Sequence, residues 1–205
     1  MIIDKEKLIF IHIPKNAGSS IKKYLLGNES FEKLDRPWKH KTIFDIKKNN
    51  LDIYNNYNKF AIVRNPYDRM VSWFSYLKKY RLDNDLLNTY AYNSKIDSYE
   101  IVETVKAPID EFRNWILNPY ANFNDAAVKL QLLKNQYEWI DESVTILKYE
   151  NIDKELSNFF NKKIELPKIN DTSKFSTMDY YDRKSLDIVY DRYKQDFKKF
   201  NYKKL

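Results

Sequence analysis

The residues best suited to chemistry lie at the ends of two short apolar runs. The first run, Leu8–Ile13, leads into Pro14-Lys15-Asn16-Ala17-Gly18-Ser19-Ser20 and then a helix-patterned segment, Ser19–Leu26. A helix start presents free backbone N–H groups and the positive end of the helix dipole, and both favour an anion. Gly18 permits close backbone approach, Ser19 and Ser20 add hydroxyl donors, and Lys15 adds positive charge. Gly18 is one of only 2 glycines in the chain, which argues that the backbone requires it there. The second run, Phe60–Val63, ends in Arg64-Asn65-Pro66-Tyr67-Asp68-Arg69, with Ser72 a little over one turn into the following helix. Arg64 carries a fork of donors that matches paired phosphate oxygens, and Asp68 and Arg69 suit structural pairing near the helix start. Each segment taken alone also fits a plainer reading: a strand-turn-helix capped by Ser19, and a surface arginine at a strand end. The chain has 2 histidines, His12 and His40. A neutral imidazole suits proton abstraction from a hydroxyl, its reference pKa being about 6.5. His12 falls inside an apolar run, which favours a core or supporting role. His40 lies in a polar stretch before an apparent helix, and a Glu or Asp is the alternative base.

These residues need a scaffold that gathers strand ends. Leu8–Ile13, Phe60–Val63 and Val144–Leu147 read as buried strands. Helical patterns cover Ser19–Leu26, with Gly27 at the C-terminal cap, then Tyr67–Tyr80, Ile109–Leu117, Ala126–Leu133, Ile152–Phe160 and Asp182–Phe200. Leu82–Ser98 is polar and patternless, and reads as a loop or insertion; Leu166–Lys174 reads as irregular. Strands alternating with helices predict an α/β fold with a largely parallel sheet, whose ligands sit beyond the carboxyl ends of the strands. Residues 1–205 are expected to form one domain.

The net charge of +7 favours anionic partners, but Lys is interleaved with Asp, Glu and Asn along the chain. That scatter, without a nucleic-acid motif, argues against a nucleic-acid partner. With no cysteine there is neither a disulfide framework nor a thiolate metal site. No apolar run approaches the ~18 residues of a membrane span, and a cytoplasmic protein is expected. A Walker A loop places Lys after its second glycine, whereas Lys15 precedes Gly18; no Walker B strand is evident. Both points count against a P-loop small-molecule kinase. A non-catalytic binder of nucleotide or acidic polymer is the other rival.

Together, Ile9–Ser20 (IFIHIPKNAGSS) and Phe60–Ser72 (FAIVRNPYDRMVS) resemble the 5′-phosphosulfate and 3′-phosphate motifs of sulfotransferases that use 3′-phosphoadenosine-5′-phosphosulfate (PAPS). The similarity is to the carbohydrate type related to heparan sulfate 2-O-sulfotransferases. Lys39-His40-Lys41-Thr42 resembles the segment carrying that family's catalytic histidine. Leu147–Ile152 resembles a later strand-to-helix segment, Leu166–Lys174 a cofactor-side loop, and Asp196-Phe197 with Phe200-Asn201-Tyr202 a family-like ending. The resemblance implies a P-loop-like three-layer fold, with a central, mostly parallel sheet flanked by helices. It implies PAPS as donor, no metal, and a hydroxyl-bearing acceptor, a saccharide. It assigns Lys15 and His40 to catalysis. Lys15, Asn16, Ala17, Gly18, Ser19 and Ser20 are assigned to the 5′-phosphate, Arg64 and Ser72 to the 3′-phosphate, and Thr172, Ser173 and Lys174 to a closing loop. Trp38, Lys39, Lys41, Trp115 and Gln136 are candidates for the acceptor cleft. The family loop usually has Thr where this chain has Asn16 and Ser19. The membrane anchor of Golgi members is missing, which points to a soluble microbial or viral member.

Overall fold

The computed structural model describes residues 1–27, 40–80, 90–93, 98–101, 109–117, 131–132, 134–167 and 175–205. They fall into two compact units. The first comprises Met1–Asn65, Leu133–Asn170 and Gln195–Lys203; the second comprises Pro66–Leu132, Asp171–Lys194 and Lys204–Leu205.

The first unit is built on a sheet whose apolar strands are buried on both faces. Strands β1 (Ile2–Ile3), β2 (Leu8–Ile11), β3 (Asn58–Val63) and β6 (Thr145–Lys148) lie side by side in that order. β1 runs antiparallel to β2, while β2, β3 and β6 are mutually parallel. Alternate residues serve opposite faces. Ile9, Ile11, Ala61 and Val63 pack on one side with Ile43 and Ile46 of α2 (Ile43–Asn49), Trp139 and Phe200; Ile53 and Tyr54 of α3 (Leu51–Asn56) lie against the same cluster. Leu8, Phe10, Phe60, Ile62 and Leu147 pack on the other with Ile21 of α1 (Gly18–Leu26) and Leu156 of α6 (Ile152–Phe159). Phe60 lies 4.9 Å from Phe10 and 5.0 Å from Phe159, ring to ring. Such pairs add about 0.5–1.5 kcal/mol beyond their buried area. A central, mostly parallel sheet between helices is the α/β arrangement expected.

In the second unit, α4 (Pro66–Tyr80) opens on proline, which fits the first helical position because its missing N–H needs no partner there. Its Met70, Val71, Phe74 and Leu77 are buried, as the spacing predicts. Phe74 and Phe112 of α5 (Ile109–Leu117) meet edge to face at 5.4 Å. Asp182 caps α7 (Arg183–Arg192), accepting from the Ser185 N–H at 2.8 Å, and pairs with Arg113. Asp68 accepts from the Thr177 hydroxyl, and buried Arg69 donates to the Gln131 carbonyl at 3.5 Å.

Several expectations need correction. The first strand stops at Ile11, because the Ile13 N–H turns back to the Ile11 carbonyl (3.0 Å) and Pro14 follows. Asp182–Phe200 is not one helix: it breaks at Tyr193 (ψ 24°) and resumes as α8, Lys194–Lys199. The insertion Leu82–Ser98 carries strand β4 (Tyr90–Asn93), paired antiparallel with β5 (Ser98–Ile101) in the register Tyr92↔Tyr99. Tyrosines at alternate positions supply strand propensity that polar neighbours conceal. The expected helix Ala126–Leu133 lies outside the described residues except Gln131 and Leu132, which are helical. Among the described residues, no helix is long and apolar enough to cross a membrane.

Candidate functional site

Between β2 and α1 the chain makes a curled turn. Lys15 (φ 71°) and Ala17 (φ 59°) are left-handed, and Asn16 between them is not. Alternating handedness turns successive N–H groups toward one side, a concavity that suits an anion. The first helical bond of α1 runs from Ile21 N–H to the Ala17 carbonyl at 3.0 Å. The N–H groups of Gly18, Ser19 and Ser20 therefore have no acceptor within the helix. Ser19 is not the cap expected: Ala17 occupies the N-cap position and makes no side-chain bond, because its left-handed turn starts the helix at Gly18. Asn16 is buried, its amide donating to the Ile62 carbonyl and to Gln136 Oε1, each at 2.7 Å. It faces the turn with its backbone, while its side chain faces inward.

Gly18 is required for space. A Cβ there would lie 1.7 Å from Nε2 of His12. The His12 ring stacks on Phe10 at 5.8 Å and lies 4.6 Å from the His40 ring. Gly18→Ala must displace the His12 ring. It is expected to cost about 1–3 kcal/mol, a thermal midpoint lower by roughly 3–10 °C. Adding His12→Ala should recover most of that loss in differential scanning calorimetry; an unrecovered loss would place the clash elsewhere.

His40 has φ 62°, and its Nδ1 lies 3.4 Å from the His12 carbonyl. A proton on Nδ1 donated to that oxygen puts the ring's lone pair on Nε2, the tautomer a base requires. Two residues on, Thr42 and Asp45 form a capping box that starts α2, with bonds of 2.7 Å and 3.1 Å. Burial works against the Asp45 charge, but Thr42's N–H and hydroxyl and the charges of Lys41 and Lys134 outweigh it. The carboxyl is held below its ordinary range.

β2 and β3 are parallel neighbours, so Lys15 and Arg64 follow the same edge of the sheet. Arg64 lies over the Tyr149 ring, 4.1 Å from its centroid, and its Nη1 reaches the Lys15 carbonyl at 3.4 Å. Its Nε is buried with no hydrogen-bond partner. Burial and the Arg64 charge lower the Lys15 ammonium from 10.5 to about 7. Two cations held this close are relieved by a shared anion.

Ser72 lies on α4 in the second unit, partly exposed. Thr172, Ser173 and Lys174 lie outside the described residues, as do Trp38 and Lys39. Lys41 is exposed. Trp115, in the second unit, packs on Phe74 and Phe112. Gln136 does not line a cleft. It is fully buried, accepting from Arg64 N–H at 2.9 Å and donating to the Arg64 carbonyl at 2.8 Å. Sequence reasoning had no signal for this brace, nor for the Tyr149 ring under Arg64.

The chain matches the model of the sulfotransferase family over residues 1–203. No curated protein and no solved structure matches it. The match takes in all but the last two of 205 residues, including both strand ends where Lys15 and Arg64 meet, and the chain therefore belongs to the sulfotransferase family of enzymes.

Proposed function

We propose that this enzyme transfers a sulfuryl group from PAPS to a hydroxyl of a saccharide acceptor, within one catalytic domain spanning residues 1–205. The observation that carries the reading is two neighbouring basic residues, Lys15 and Arg64, at one edge of the sheet beside the N–H groups of Gly18, Ser19 and Ser20, which have no acceptor within α1. An unspent arginine donor, a lysine with depressed pKa and a helix N-terminus form a donor set that fits two phosphate groups on one nucleotide.

Bound PAPS supplies a sulfuryl group carried on a phosphate leaving group. Gly18, Ser19 and Ser20 hold the 5′-phosphate with backbone N–H and hydroxyl donors, joined by the N–H groups of Asn16 and Ala17. Arg64 holds the 3′-phosphate; Ser72, Thr172, Ser173 and Lys174 are assigned to the nucleotide by the family resemblance alone. His40 Nε2 takes the proton of the acceptor hydroxyl as its oxygen bonds to sulfur. Lys15 stabilises the negative charge left on the phosphate as the bridging S–O bond breaks. As in phosphoryl transfer, the protein's contribution is positioning and charge. No step calls on a metal.

Calorimetric titration tests this reading. Adenosine 3′,5′-bisphosphate is expected to bind without metal and at least tenfold more tightly than ADP with magnesium. Arg64→Ala is expected to remove most of that preference. Equal or tighter binding of ADP with magnesium would overturn the assignment in favour of kinase-like chemistry.

A further inference from the structure

Arg64 lies just past the paired part of β3. The last cross-strand partner there is Val63, opposite Lys148, so no neighbouring strand holds the Arg64 peptide. Side chains take over that task. The Gln136 amide bonds both backbone groups of Arg64, at 2.9 Å and 2.8 Å, much as a neighbouring strand would. The next N–H, of Asn65, donates to Glu150 Oε1 at 2.6 Å.

Both braces are themselves held by residues near the C-terminus. Buried Asp196 accepts from the Gln136 N–H at 2.8 Å and from the Tyr137 N–H at 3.0 Å. The Tyr202 hydroxyl donates to Glu150 Oε2 at 3.0 Å. Gln136 has a second attachment: its Oε1 also receives the Asn16 amide at 2.7 Å, tying it to the turn that carries Lys15.

We infer that Gln136 and Glu150, fixed by Asp196 and Tyr202, are positioning residues that set this enzyme's discrimination for a 3′-phosphate. They fix the peptide groups on both sides of Arg64, so the guanidinium is preorganised over Tyr149. An arginine on a loose strand end loses much of its rotamer freedom on binding, and a braced one loses less. Gln136 and Glu150 differ in reach. Gln136 braces both the Lys15 turn and Arg64, while Glu150 and Tyr202 brace only the Arg64 side. This inference rests on the proposed PAPS reading, in which Arg64 meets the 3′-phosphate.

The test compares the dissociation constants of adenosine 3′,5′-bisphosphate and adenosine 5′-monophosphate, whose ratio reports recognition of the 3′-phosphate. Glu150→Ala and Tyr202→Phe should each reduce the ratio about fivefold, with monophosphate affinity changed less than about twofold. Glu150→Gln keeps an acceptor oxygen and should restore the ratio. Gln136→Leu should weaken both ligands and reduce the ratio by about tenfold or more. Glu150 is exposed, so its variants do not depend on a tolerant core. A general structural role would shift both ligands equally and leave the ratio unchanged; that result in the Glu150 and Tyr202 variants overturns the inference. A wild-type ratio near one would instead sink the PAPS reading itself.

Discussion

Replacing Lys15 with methionine is expected to cut sulfuryl transfer by roughly 10²–10³-fold, the usual cost of removing one donor from developing transition-state charge. The same variant should have a higher thermal midpoint without ligand. Lys15 is lowered to about 7 by burial and by Arg64, so the folded protein holds that proton less tightly than the unfolded chain does. The sign follows from linkage. Below pH 7 the lysine is charged in both states, and the folded state bears the full cost. Between pH 7 and the unfolded value of 10.5 the cost shrinks, because the folded protein has already released the proton. The stabilisation by Lys15→Met should therefore be largest at pH 6 and fade toward pH 10. Thermal scans at both pH values, with initial rates under saturating donor, decide the matter. Near-normal turnover, or a variant less stable than wild type at pH 6, would refute this role.

How far that arrangement was legible depended on distance along the chain. β2 and β3 were visible because burial on both faces leaves unbroken apolar runs such as Phe60–Val63. Arg64 was visible because it directly follows such a run, and Lys15 because only Pro14 separates it from one. β1, two residues long, was below any pattern threshold. The break at Tyr193 was hidden because Leu186, Val189, Tyr193 and Phe197 continue a helical stripe, and all four are buried. The helix nevertheless restarts, with Asp196 aiming both oxygens at the N–H groups of Gln136 and Tyr137. Gln136 was the largest miss. Its partners lie 120, 72 and 60 residues away, at Asn16, Arg64 and Asp196, and no local spacing announces a bond of that length. Gly18 was read as a backbone requirement, whereas its cause is the His12 side chain, whose ring fills the space a Cβ would take.

Loss of His40 should reduce kcat by about 10²–10⁴-fold, the range for removing a general base, while bisphosphate affinity stays within about threefold. His40→Asn is the better variant than His40→Ala, because asparagine tolerates the left-handed backbone found there (φ 62°). An alanine could lose activity through strain at that turn; an asparagine isolates the missing imidazole. The pH dependence separates the two proposed groups. His40 must be neutral to accept a proton, so protonating it gives the wild-type rate an acid limb. Lys15 must be charged, so its loss of a proton, near 7 in the free enzyme, gives an alkaline limb in kcat/KM. The His40 variant should lose the acid limb and keep the alkaline one; Lys15→Met should do the reverse. Bound phosphate raises the Lys15 pKa, so the alkaline limb should move upward in kcat relative to kcat/KM. An acid limb that persists in His40→Asn would assign the base to a carboxylate and leave His40 as a partner of the His12 ring.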